Sequence, residues 1–172
     1  MSPAQASVLK PVLRTNSHVH TTADDFEYRL KIPQIGVNAA VESVGLTQQG
    51  AVDVPVGSTN VGWYKYGPRP GESSSAVIVG HFGVWKKGAP TVFNDLYKLR
   101  SGDKIYVEDQ KGEVVTFIVR KSRTYRPNED VAEVFDANDP AAHLNLITCS
   151  GVWNKITKSY SKRLVVFADK KI

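Results

Sequence analysis

The sequence predicts an all-β fold, a barrel or a sandwich, and three observations carry that prediction. Short apolar runs with period-2 alternation or β-branched content keep arriving along the 172 residues, each bounded by Gly, Pro, Asn, Asp or Ser. Helical periodicity is confined to two brief stretches. No internal repeat or low-complexity tract divides the chain, so the strands belong to one domain of a size that buries a single core.

Residues 1–25 carry Pro3, Pro11, Ser17 and Thr21-Thr22 without a sustained period and are expected to form a flexible N-terminal arm. His18 and His20 lie in this arm. A His-x-His pair can bind metal, but with no cysteine nearby and only Asp24-Asp25 for acidic company, no metal site is assigned there. The folded domain is expected over 26–172. Its first strand is Phe26-Glu27-Tyr28-Arg29-Leu30-Lys31-Ile32, closed by Pro33, and Ile35 to Val41 opens the second. Val52-Asp53-Val54-Pro55, Gly62-Trp63-Tyr64, Ala76 to His81, Lys104 to Val107, Val114 to Arg120, Leu144 to Cys149 and Arg163 to Ala168 supply the other strand candidates. Phe93, Leu96 and Tyr97 stand at helical spacing, and Asn128 to Phe135 begins on a good cap residue. Both predict brief helices inserted in connections.

Hydrophobic residues make up 41% of the chain and charged residues 23%, the balance of a soluble globular domain. The net charge of +5 is scattered. Its densest groups, Lys86-Lys87, Arg120-Lys121, Lys162-Arg163 and Lys170-Lys171, are only pairs, so the basic excess reads as solvated surface and no nucleic-acid partner is predicted. No stretch approaches the roughly 20 apolar residues of a membrane span, and the N-terminus shows no apolar signal-peptide region. A single cysteine excludes an intramolecular disulfide and any Cys-rich zinc site.

That cysteine organises the functional reading. Leu144, Leu146 and Thr148 alternate with Asn145, Ile147 and Cys149, and Ser150-Gly151 is expected to break the strand, leaving the thiol at a strand end facing a loop. An unpaired cysteine is often just a small buried apolar side chain. A nucleophilic one needs a neighbouring base or cation. Two candidates sit in comparable strand-end contexts: His81, closing Ala76 to His81, and Arg163, opening Arg163 to Ala168, although an arginine at a strand start is more often a surface residue. The connection from Ser150 to Lys162 holds Trp153 and Tyr160, which either wall a peptide groove or plug the end of the barrel.

The ordered set Ala76-Val77-Ile78-Val79-Gly80-His81, Leu146-Ile147-Thr148-Cys149 and Arg163 resembles the His, Thr-Cys and Arg pattern of the sortases, the cysteine transpeptidases of bacterial cell surfaces. Leu30 to Val37, Gly62-Trp63-Tyr64, Phe93-Asn94-Asp95-Leu96 and Ser101 to Ile105 resemble further landmarks of that family in order, over about Tyr28 to Asp169. Within the family the chain is most similar to the actinobacterial type called class F, with classes D and E the alternatives. The resemblance implies an eight-stranded β-barrel with one or two short helices that brings His81, Cys149 and Arg163 to one rim. It implies that Cys149 attacks a Leu-Pro-x-Thr-Gly sorting signal between Thr and Gly, and that an amine from a cell-wall precursor or a pilin accepts the acyl group. His81 would be the general acid/base and Arg163 would hold substrate carbonyls or the oxyanion. Thr148 would contribute a hydroxyl or backbone contact, unless it points to the opposite face and packs. By the same analogy Tyr125 to His143 walls the peptide pocket, with Val131, Val134 and Phe135 receiving the substrate leucine and Trp153 walling the groove. His143 is the competing histidine, expected on a loop at the surface or groove edge.

Members of the family carry an N-terminal membrane anchor. None is visible here, so the chain is expected to be a soluble form of an exported, anchored enzyme that meets the membrane only through that anchor. Some sortases bind calcium through acidic loop residues. Near Tyr125 to His143 only Glu129, Asp130 and Glu133 offer themselves, so no cofactor, no metal and calcium independence are expected. Two other readings are a non-catalytic peptide-binding barrel and an enzyme that only hydrolyses sorting signals. A third, an L,D-transpeptidase, would need an arginine immediately beyond the cysteine, where this chain has Ser150-Gly151-Val152.

Overall fold

The computed structural model describes residues 9–11 and 28–172. Most of the expected arm, including His18, His20, Asp24 and Asp25, lies outside the described residues, as do Phe26 and Glu27 of the expected first strand. Eight strands form a closed barrel: β1 (Tyr28–Ile32), β2 (Val37–Val44), β3 (Val61–Tyr64), β4 (Ser74–Val79), β5 (Lys104–Glu108), β6 (Val114–Tyr125), β7 (Ala142–Asn154) and β8 (Ser159–Lys170). Around the barrel they run β1-β2-β3-β4-β7-β8-β6-β5, with β4 and β7 parallel and adjacent. Closure removes the unpaired edges that an open sheet would leave to solvent.

Alternation along the strands sorts their side chains into two apolar layers. Leu30, Ile32, Ala76, Ile78, Leu144, Leu146, Leu164 and Val166 fill the barrel with Ile105 and Phe117. On the opposite face, Val77, Val79, Ile147, Val165 and Phe167 form the floor of a second layer. That outer layer is covered by the β6–β7 connection, whose single helical turn α1 (Ala132–Phe135) contributes Val134, with Val131 just before it and Phe135 packed alongside. Leu9, one of the three described residues of the expected arm, is buried in this same layer.

Several expectations are corrected. Val52-Asp53-Val54-Pro55 forms no strand. Only an isolated bridge joins Leu46 to Val52, because Pro55 and the surrounding turns leave no run of donors for a ladder. Ile35 belongs to a 3-10 turn closed by Gly36 at φ +67°, so β2 starts two residues later than expected. The first expected helix reduces to a 3-10 turn at Leu96–Lys98, and the second starts at Ala132 with Val131, not Asn128, at its cap position. The Ser150-Gly151 pair does not end β7. The strand runs on to Asn154 with a register shift between Ser150 and Trp153, and Gly151 takes φ +80° there. Glycine has acted as a bulge residue, and a Cβ at that position would also collide with the Ser161 side chain.

Candidate active site

The parallel pairing of β4 with β7 sets the site's geometry. Val79 lies opposite Ile147, and the Gly80 N–H donates to the Ile147 carbonyl at 3.1 Å, so the ladder carries His81 to the level of Cys149 at the end of the barrel. On the other side of β7, Cys149 is directly opposite Arg163 of β8. Cys149 alternates with Ile147 and Arg163 with Val165, which puts thiol and guanidinium on the same outer face as neighbours across a ladder. The register therefore brings the backbone of His81, Cys149 and Arg163 to one end of the barrel.

Arg163 is not the surface residue that its position alone suggested. Only 3% of it is exposed, and its Nη1 donates to the carbonyls of Tyr160 at 2.9 Å and Lys162 at 2.8 Å. Those bonds hold the fork beside Cys149 and satisfy a charge that would otherwise be costly to bury. Cys149 is partly exposed. Burial pushes its thiol pKa above the ordinary value while the charge on Arg163 pulls the other way, and burial wins.

His81 is fixed from outside the strands. Its Nε2–H donates to the Pro55 carbonyl at 3.0 Å, since a carbonyl can only accept, and this leaves Nδ1 as the basic nitrogen. The Trp85 ring packs on the imidazole at 5.1 Å between centroids, and the Phe93 N–H donates to the His81 carbonyl at 3.0 Å. Just before it, Gly80 admits the Phe93 ring so closely that a Cβ would lie 2.5 Å from it.

Thr148 lies on the inner face with Leu144 and Leu146, the packing alternative of the sequence reading. It is 3% exposed, and its hydroxyl donates to the Gly80 carbonyl at 2.7 Å. Its side chain thus ties β7 to the chain immediately before His81. Val131 and Val134 are buried and Phe135 half-buried in the outer layer beside β4 and β7. Their cover is pinned by Glu133, which accepts from Tyr125, from Lys121 at 3.1 Å and from Arg123 at 2.6 Å. The Tyr125 bond and these two cations, working against partial burial, hold the Glu133 carboxyl down at about 2. Trp153 is 40% exposed on the β7–β8 hairpin, too far into solvent to plug the barrel, and it packs edge-on against Tyr160 at 5.0 Å. Tyr160 in turn meets Phe82 at 5.3 Å.

His143 is corrected outright. It sits in β7 rather than a loop, is buried, and its two nitrogens pair with Asp139 and Asp169 at 2.8 Å each. Burial alone would lower its pKa, but the two carboxylates outweigh that and raise it. It stands six residues before Cys149, at the far end of the strand. Among the described residues, no three His, Cys, Asp or Glu side chains converge as a metal-binding group.

Sequence reasoning missed the Pro55 carbonyl, the Trp85 and Phe82 rings and the role of Asn145. A backbone oxygen 26 residues away leaves no trace in sequence. Asn145 did leave a signal, as an amide inside an apolar strand. It is 1% exposed and its Nδ2 donates to the Val134 carbonyl at 2.7 Å, holding α1 to β7.

Fold and site together define a cysteine enzyme built on a closed β-barrel, its thiol flanked by a buried guanidinium and by β4, which ends at Val79, two residues short of His81 rather than at the histidine as expected. The sortase domain model matches residues 30–171, and the chain belongs to the sortase family. It is therefore a cysteine transpeptidase of the extracytoplasmic bacterial cell surface. Similar solved structures agree on the fold. Sortase C-1 from Actinomyces oris is 24% identical at TM-score 0.65, with 87% of this chain and 75% of that one covered. A Clostridium perfringens sortase D5 transpeptidase is 21% identical at TM-score 0.63, covering 86% and 80%. Sortase A from Corynebacterium diphtheriae is 20% identical at TM-score 0.65, covering 88% and 63%. These identities speak for the fold and assign no class to this chain. No curated protein matches it in sequence.

Proposed function

We propose that this sortase cleaves sorting signals of the Leu-Pro-x-Thr-Gly kind between Thr and Gly, with Cys149 as nucleophile, His81 as general acid and base, and Arg163 as the oxyanion and carbonyl clamp. His81 takes the thiol proton as sulfur attacks the threonyl carbonyl, and the charge that grows on that oxygen faces the guanidinium. Collapse of the tetrahedral adduct breaks the Thr–Gly bond. The departing amine takes the proton from His81, and a thioester to Cys149 remains. An incoming amine, from a cell-wall precursor or a pilin, then gives its proton to His81 while it displaces sulfur. The observation that carries this reading is the direct pairing of Cys149 with a buried, doubly hydrogen-bonded Arg163. Of the three residues expected to receive the substrate leucine, Val134 is fully buried and Val131 nearly so, and half-buried Phe135 is the one open to a peptide, while Trp153 and Tyr160 would wall the peptide groove. In the cell, a membrane anchor would hold this domain at the surface.

The test is mass spectrometry of the protein mixed with a Leu-Pro-x-Thr-Gly peptide and a glycine or diamino-acid amine, alongside Cys149→Ala. A thioacyl adduct and an amine-ligated product that both need Cys149 are the expected result. Product formation by Cys149→Ala would refute it, and a hydrolysed peptide with no ligated product in the presence of amine would make the enzyme a hydrolase.

A further inference from the structure

The β7–β8 hairpin and the two segments that pack toward it are unusually apolar, and the hairpin itself carries only basic charge. Val84 is 69% exposed, Val152 75% and Ile156 93%, and Val56 and Trp153 are also open to solvent. These side chains come from three segments that the structure ties together. Pro55, next to Val56, holds His81; Phe82 packs on Tyr160; and a Cβ on Gly83 would lie 2.6 Å from the Tyr160 hydroxyl. The hairpin tip is ordered. Asn154 Oδ1 accepts the N–H groups of Ile156 at 2.8 Å and Thr157 at 3.0 Å, and Lys158 turns the chain at φ +51°. Ile156 is thus held outward by a built turn.

Residues 54–62, 81–94 and 149–168 contain no Asp or Glu, in a chain that has 17, with Asp53, Asp95 and Asp169 at their borders. The same segments supply Lys86, Lys87, Lys155, Lys158 and Lys162. Lysine is depleted at the centre of protein–protein interfaces. Aliphatic side chains and a tryptophan interleaved with lysines are instead the composition that settles at the boundary of headgroups and acyl chains and is drawn to anionic lipid.

We propose that this rim, the β7–β8 hairpin with the segments of Val56 and Val84, docks on an anionic bilayer. Val152 and Ile156 enter the headgroup boundary, and Lys87, Lys155, Lys158 and Lys162 lie against the charged headgroups. This contact is separate from any N-terminal anchor and from the roles given to Cys149, His81 and Arg163. It turns the mouth of the site toward the membrane face, where a lipid-linked amine or an emerging substrate would be met.

The test is co-sedimentation of the 172-residue protein with phosphatidylcholine vesicles with and without phosphatidylglycerol, at low and high salt. Expected are binding that requires phosphatidylglycerol, weakens with salt and shifts tryptophan emission to the blue. Lys155→Ala and Lys158→Ala should each weaken it about fivefold. Val152→Ser with Ile156→Ser should weaken it about tenfold or more at unchanged net charge. All these variants should turn over a soluble peptide as the parent does, which shows that they fold. Failure to bind phosphatidylglycerol vesicles at low salt overturns the proposal. So does binding that the lysine variants lose but the Val152/Ile156 pair keeps, since the rim would then be reading a soluble polyanion such as polyphosphate and not a bilayer.

Discussion

Replacing Arg163 by glutamine tests the proposed chemistry most directly. Neighbours directly opposite on antiparallel strands have Cβ atoms about 5 Å apart, so a separation of about 6 Å is taken between the guanidinium and an oxyanion on an adduct at Cys149. At an effective dielectric of about 20, that separation is worth about 3 kcal/mol, or about a hundredfold in rate. Losses on removing a single oxyanion donor elsewhere, about 10²–10³ in kcat, agree with that figure. Glutamine suits the test because its amide still reaches a backbone carbonyl, so one of the Tyr160 and Lys162 oxygens keeps a donor and the end of β8 is not orphaned. The assay is kcat/KM on a fluorogenic sorting-signal peptide, with thermal unfolding as the control for folding. A fall of about a hundredfold, mostly in kcat, is expected. Arg163→Lys should recover part of it, since lysine restores the charge but not the planar fork. Thiol alkylation followed against pH adds a second reading. Losing the guanidinium removes the one influence that lowers the Cys149 pKa, so it should move further up in Arg163→Gln and back toward the parent in Arg163→Lys. A folded Arg163→Gln enzyme within about threefold of the parent would refute the clamp.

Other outcomes follow from neighbouring contacts. Thr148→Val keeps the shape but removes the donor to Gly80, and should cost about 1–3 kcal/mol in denaturant unfolding while lowering kcat more than it changes KM. Glu133 is depressed from 4.5 to about 2, so its contribution to stability is complete above pH 4.5 and is lost as pH falls toward 2. At face value that shift is about 3 kcal/mol. With 38% of the side chain exposed, solvent screening reduces it to about 1 kcal/mol, and acid unfolding of Glu133→Gln should lack this step. His143 has the opposite sign: its raised pKa means stability that is full below its ordinary 6.5 and lost as pH climbs through the folded value, a dependence that His143→Asn should abolish in unfolding at graded pH. A calcium titration of peptide turnover should leave the rate unchanged, and a rise of several-fold would overturn that expectation.

The sequence exposed most of what depends on local alternation. Tyr28 to Ile32, Gly62 to Tyr64, Lys104 to Val107 and Arg163 to Ala168 all fall inside observed strands, because a period-2 pattern is a property of each segment on its own. Where long-range pairing decides, local reading failed. Ser150-Gly151 reads as a turn, yet β8 offers partners on the far side and turns the glycine into a bulge inside a 13-residue strand. His143 reads as a loop residue after Asp139-Pro140, and only the spatial neighbour Asp169 explains why an imidazole is buried there. Val52 to Pro55 shows the converse. Its alternation suits a strand, but pairing with 45–46 stops at a single bridge, and what the segment contributes is Val52 to the outer apolar layer and one carbonyl aimed at His81.

The same pairing explains how the enzyme rests. The thiol is pushed up by burial more than Arg163 pulls it down, so in the free enzyme burial disfavours the thiolate even with a cation beside it. On the proposed mechanism such a site would need little reorganisation on activation, because the guanidinium lies across the ladder from the thiol and His81 Nδ1 is the nitrogen left to take the proton. On the same mechanism a docked peptide would exclude water and bring its carbonyl between the two, which would strengthen its attraction to Arg163. Activity then depends on Thr148 and Pro55 keeping the imidazole at the level of Cys149, which is why contacts outside the triple should register in kcat.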